Sequence, residues 1–375
     1  MTRRRTAVVT AGIAAGAVAA GAVGAVVRRR RLEHHEHAPI GQLPPELLPS
    51  VRSFDGTEIV VRAAGDPAAP VLLFAHGFSL DLSTWSEQWP ALSARFRCVL
   101  MDHRSHGASA AAADGDLTLR AMGRDIAAVL DAVAPDGPAV LVGHSMGAMS
   151  ILALAELRPE LFGPRIAGVV LIGAASGQLI RGAMGSVTEL LRPRLGSLRA
   201  AAGRVDRLRR AVLASPADVG GVVARVTQFG PDAPRNVVDH VVALAGRASS
   251  QVWTDGLADL MEMDLRHALP RVTVPALVIV GEHDRVTPPA AAVELAGALP
   301  RGELTIVPGA GHIAMLERPE ELNRAIDRFA DRCLRDREQG TKPKARRRTR
   351  AGPPGGDEPG PAPPGRRRAN ERDSS

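Results

Sequence analysis

Cysteine is almost missing from this chain: among 375 residues only Cys98 and Cys333 occur. Two isolated thiols exclude a disulfide framework. Cys98 falls in the apolar run Arg97 to Met101, where a cysteine acts as a small hydrophobe, so thiol chemistry does not fix the compartment. Acidic residues are missing from positions 1–31, which carry seven arginines, whereas residues 341–375 carry ten Lys and Arg against four Asp and Glu. Setting these basic ends aside from the whole-chain charge of +7 leaves residues 32–340 at a net charge of −6. A folded body without basic excess excludes a nucleic-acid groove, because phosphate neutralisation needs clustered cations on the folded surface.

Charge is also missing from the 22 residues Thr6 to Val27. As a helix rising about 1.5 Å per residue, that stretch covers the roughly 30 Å hydrocarbon core of a bilayer. Residues 1–31 are therefore expected to hold a single membrane span with the lipid bilayer as partner. The block Arg28 to Arg31 opposes export of the downstream chain, so retention is expected rather than cleavage as a signal peptide. Three arginines precede the span and four come after it, which leans the body toward the cytoplasmic side. Residues 32–49 read as a linker. Its histidines, His34, His35 and His37, impose no coordination geometry, and no metal is expected.

From Val51 the pattern changes. Val51 to Phe54 and Glu58 to Arg62 flank Asp55-Gly56, a hairpin signature. Near-continuous apolar runs occur at 71–74, 99–101, 140–142, 169–172, 277–280 and 304–307, as strands covered on both faces require. Helical periods separate most of them, for example Leu119, Met122, Ile126, Val129, Leu130 and Val133, and later Leu322, Ile326, Phe329 and Cys333. The alternation implies an α/β fold with a doubly wound, mostly parallel sheet. Residues 50–176 and 265–335 form its core. Strand-like runs are missing from 177–264, a helical insertion of cap size. Large apolar residues are nearly missing from 336–375, a basic Pro/Gly-rich tail that is expected to stay disordered.

Gly143-His144-Ser145-Met146-Gly147 lies between an apolar strand and an Ala-rich helix. A strand turning sharply into a helix crowds the backbone around one residue, and glycines on either side relieve the crowding. The helix start also leaves amide hydrogens unpaired, so the Met146 N–H is available to a developing oxyanion. A serine hydroxyl needs a base held by a carboxylate. Asp284 lies just beyond the run Val278 to Val280, with Glu282 as the rival acid. His312 sits on the glycine-rich loop after Leu304 to Val307. Eleven histidines are present, but Ser145, Asp284 and His312 keep the order serine, acid, histidine, each beyond a strand end. In His76-Gly77-Phe78, the Phe78 N–H is the candidate second oxyanion donor.

On these residues, Val51 to Cys333 resembles the α/β-hydrolase superfamily, in the branch of small esterases, lipases and cofactor-independent haloperoxidases. Five segments carry the resemblance in order: 76–78, 102–109, 143–147, 281–284 and 311–312. One departure is Ser105 in Arg104-Ser105-His106-Gly107, where the family has glycine. The resemblance implies that residues 177–264 cover the site. The function expected is hydrolysis of a small ester or related acyl bond through an acyl-enzyme on Ser145, without metal or organic cofactor. The rivals are perhydrolase or haloperoxidase-like chemistry, carbon–carbon hydrolysis, and a non-catalytic membrane-tethered binding protein. Substrate-binding residues and oligomeric state are not legible.

Overall fold

The computed structural model describes residues 40–135, 137–177 and 219–341. The expected span at 6–27, the linker histidines, residues 178–218 of the expected cap and the chain beyond Thr341 lie outside them. Among the described residues no helix is long and apolar enough to cross a membrane, and no group of His, Cys, Asp and Glu is arranged to hold a metal ion.

Strands β1 (Glu46–Leu47), β4 (Val61–Ala64), β5 (Val71–Ala75), β6 (Arg97–Met101), β7 (Ala139–His144), β8 (Ile166–Ile172), β9 (Ala276–Gly281) and β10 (Gly302–Val307) make one sheet in the order β1-β4-β6-β5-β7-β8-β9-β10. Strands β5 to β10 are parallel to their neighbours, and β1 and β4 close one edge in antiparallel fashion. Strands β2 (Val51–Arg52) and β3 (Glu58–Ile59) form the hairpin around Asp55-Gly56. The apolar runs are continuous because both faces are covered: Leu73 and Leu141 enter one core, while Leu72 and Val142 enter the other. Helices α1 (Leu119–Val133) and α2 (Met146–Leu157) fill the first core with Met122, Ile126, Leu130 and Leu152. Each such side chain contributes about 1.5–3 kcal/mol by leaving water.

The insertion leaves the sheet at Gly177 and returns at Asp264, which pair as an antiparallel bridge. Its described part is helical: α3 (Val219–Gln228), α4 (Arg235–Arg247), a π-helical turn at Val252–Gly256 and α5 (Leu257–Glu262). Helix α6 (Pro289–Ala298) precedes β10, and α7 (Pro319–Thr341) closes the described chain. The tail was expected to begin at 336, yet α7 continues to Thr341. Between Glu320 and Gln339 there is no glycine or proline to stop it, and Arg335 pairs with Asp331 one turn back at 3.0 Å.

Two buried polar groups anchor the loops at the carboxyl ends of β5 and β6. Arg104 is fully buried and meets Asp125 of α1 with two bonds, Nε to Oδ2 at 2.7 Å and Nη2 to Oδ1 at 2.8 Å. Ser105, where the family has glycine, takes the left-handed conformation (φ 61°) all the same. Its amide donates to Ala110 at 2.9 Å and its hydroxyl accepts from the Ala112 amide at 3.0 Å, which offset the strain. Beside it, the rings of His76, His103 and His106 pack together at centroid distances of 4.8 to 6.4 Å. His76 is held neutral, because Nδ1 bonds the Gly77 carbonyl at 2.8 Å and Nε2 accepts from the His103 amide at 3.1 Å.

Burial lowers His76 to about 4 and His106 and His144 to about 3, and lowers His103 as well. Below pH 6.5, their ordinary value, the unfolded chain binds protons that the folded chain refuses, so their contribution is lost as pH falls toward the folded values. Asp102 acts with the opposite sign, because burial raises its carboxyl to about 7. Comparing His106→Asn with the parent protein cancels that opposing contribution. Urea unfolding from pH 6.5 down to pH 4 is expected to give the variant a decline shallower by up to about 1.4 kcal/mol per pH unit. Parallel curves would remove His106 from this account.

Candidate active site

Ser145 is the residue between β7 and α2, and its backbone sits at φ 49°, ψ −114°, a conformation that side-chain-bearing residues seldom adopt. The turn is held because its neighbours cannot be larger. A Cβ on Gly147 would stand 2.2 Å from the Ala75 carbonyl oxygen, and one on Gly143 would stand 2.5 Å from the Ala148 nitrogen. The Ser145 amide donates to Ile172 at the end of β8 at 2.8 Å, and its carbonyl accepts from Met149 at 3.0 Å. Strain is thus balanced by hydrogen bonds on both sides. The residue remains 9% exposed in an otherwise closed environment.

Asp284 and His312 come together. His312 Nδ1 lies 2.8 Å from Asp284 Oδ2. The remaining acceptor sites of the carboxylate are filled by the Val286 and Thr287 amides on Oδ1, each at 2.8 Å, and by the Thr287 hydroxyl on Oδ2 at 2.8 Å. Burial pushes the Asp284 carboxyl up, but the His312 ring beside it and these donors outweigh that and hold it below its ordinary value. The carboxylate therefore stays ionised and orients the ring with Nδ1 as donor. Glu282, the rival acid, is exposed and accepts instead from the Gly309 amide at 2.9 Å.

Ser145 and His312 both lie against the end of β8, with no hydrogen bond between them. Gly173 (φ 56°) comes directly after Ile172, and a Cβ there would lie 3.1 Å from His312 Cε1 and Nδ1. The His144 ring stands 4.8 Å from the His312 ring, and its Nε2 bonds the His312 carbonyl at 3.0 Å. Among the described residues, His312 Nε2 makes no hydrogen bond, nor does the Ser145 hydroxyl. The Phe78 and Met146 amides likewise have no acceptor among the described residues. Two free backbone donors, one at a helix start and one on the loop after β5, match what a developing oxyanion needs.

Three residues here are not singled out by the sequence. Thr287 has a spacing of three from Asp284, that of a local side-chain turn. The Trp253 ring meets Phe78 edge-to-face at 5.0 Å from within the π-helical turn. Glu317 is 4% exposed behind the His312 loop.

Comparison with known proteins agrees with this fold. The chain is 26% identical over 263 residues to 3-oxoadipate enol-lactonase 2 of Acinetobacter baylyi, covering 70% of this chain and 89% of that protein. Its fold matches a thermophilic esterase from Thermogutta terrifontis with TM-score 0.62 at 23% identity, over 77% of this chain and 99% of the other. It also matches the enol-lactonase from Burkholderia xenovorans LB400 with TM-score 0.58 at 25% identity, over 75% and 99%. The model of the alpha/beta hydrolase family matches residues 72–325. With that match spanning the strand ends that carry Ser145, Asp284 and His312, the chain belongs to the α/β-hydrolase family.

Proposed function

We propose that the protein hydrolyses a carboxylic ester or a related acyl bond through an acyl-enzyme on Ser145. The observation that carries this reading is the 2.8 Å bond from His312 Nδ1 to Asp284 Oδ2 beside a serine held at positive φ. His312 Nε2 takes the hydroxyl proton as Ser145 Oγ attacks the acyl carbon. The Phe78 and Met146 amides receive the charge that develops on the carbonyl oxygen. Nε2 then returns the proton to the departing alkoxide, and water repeats the sequence to release the acid. Asp284 stays ionised throughout and steadies the imidazolium. Similarity to enol-lactonases, whose name denotes a cyclic ester as substrate, supports an acyl–oxygen bond as the target.

Activated esters of increasing acyl length test this directly. Ser145→Ala is expected to lower turnover by about 10⁴-fold or more and to abolish covalent labelling by a fluorophosphonate. Equal turnover by variant and parent would overturn the proposal. Thr287→Val keeps the side-chain shape and removes one bond to Asp284. Its expected effect is a roughly tenfold lower kcat with KM unchanged, the kinetic equivalent of about 1.4 kcal/mol. An unchanged kcat would relieve Thr287 of any part in orienting the pair.

The segment 6–27 adds a location to this reading: a single-pass span with the hydrolase body on the cytoplasmic side. Its support is the uncharged length and the arginines that flank it. Alkaline carbonate extraction of membranes from cells making the full chain is expected to leave the protein in the pellet. Release into the supernatant would exclude a span.

A further inference from the structure

The loop that carries His312 is built against the turn between α3 and α4 of the cap. The His312 amide donates to the Gln228 carbonyl, the last residue of α3, at 2.6 Å. Packing there is backbone against backbone: a Cβ on Gly311 would stand 2.5 Å from both the Gln228 oxygen and the Gly230 nitrogen, and one on Gly230 would stand 2.1 Å from the Gly309 oxygen. One side chain bridges the two segments. Glu317 Oε1 accepts from the Gly311 amide at 3.0 Å, and Oε2 accepts from the Gly230 amide, 87 residues away, at 2.8 Å.

We propose that Glu317 is a positioning residue that ties the turn between α3 and α4 of the cap to the His312 loop, so that cap docking and imidazole placement are one event. The inference rests on His312 acting as the base described above. A dry carboxylate is a costly way to fill space, and burial does raise this one against the pull of its two amide donors. Its distinguishing feature is that it accepts from two donors at once. Neither a hydrophobe nor a glutamine can do so, since the amide group of glutamine would set an N–H against one of the two backbone N–H groups. With that bridge broken, the α3–α4 turn and the histidine loop are free to move apart. A misplacement of about 1 Å at the base costs on the order of 100-fold in rate.

The test uses the full-length protein with Glu317→Gln. The expected result is a kcat lower by about 100-fold with KM within about twofold of the parent, a fluorophosphonate labelling rate of Ser145 that falls by the same factor, and faster hydrogen exchange at the Gly230 and Gly311 amides. Faster exchange with unchanged kcat would make Glu317 structural only and overturn the inference. Should the variant fail to fold, the parent decides: labelling Ser145 is expected to slow exchange at Gly230 together with Gly311, and no change at Gly230 would refute the coupling. A parent that is not labelled at Ser145 removes the serine-hydrolase reading and this inference together. A labelled parent with a variant of normal kcat removes only the inference.

Discussion

The position of one imidazole depends on more of this structure than any other feature does. The His312 ring is held at Nδ1 by Asp284, its carbonyl by His144, its amide by Gln228, and one edge of it rests on Gly173. These contacts come from the loop after β9, the end of β7, the end of α3 and the end of β8. A parallel sheet makes that convergence cheap, because all its strands deliver their outgoing loops to the same side. Within it, Ser145 comes directly after β7, which lies two positions from β9 and three from β10, so the three residues occupy neighbouring strand ends despite spanning 145 to 312 in sequence.

Closeness of this order requires backbone to touch backbone. Gly147 against Ala75, Gly281 against Gly311, and Gly311 against Gln228 all leave no room for a Cβ. Such contacts are short and stiff, and they explain how a non-glycine residue with φ 49° persists at position 145. The surrounding bonds over-determine the turn, so strain of about 1–3 kcal/mol is tolerated locally. The same stiffness suits a site that must present donors and a base in one fixed arrangement before substrate arrives.

The sheet and the Ser145, Asp284 and His312 strand ends were legible in the sequence because each rests on a local signal. Continuous runs such as Val71 to Phe74 read as strands since their two-sided burial is written into adjacent residues. Gly143 and Gly147 flank their serine within five positions. The features that escaped reading depend on contacts between distant segments. Glu317 acquires meaning only when Gly230 is brought to it, and Trp253 only when Phe78 is. The end of α7 escaped for a different reason: composition signals the loss of a core, but a polar helix free of glycine and proline from Glu320 to Gln339 continues on propensity and i,i+4 pairs past Cys333.

The described part of the cap touches the body both at the candidate site and away from it, as where the Gln251 side chain donates to the Gly115 carbonyl. Its α3–α4 turn meets the His312 loop, its π-helical turn places Trp253 on Phe78, and Asp259 of α5 accepts from the Leu119 amide at the start of α1 at 2.8 Å. π-Helical turns carry an extra residue that a regular helix would exclude, and here the extra residue's turn brings an aromatic ring to the oxyanion loop. On the proposed reading, the same elements support both the base and the oxyanion donors. Recognition and reaction would then be coupled, since a cap that shifts to admit a different acyl group also shifts the supports of Phe78 and His312.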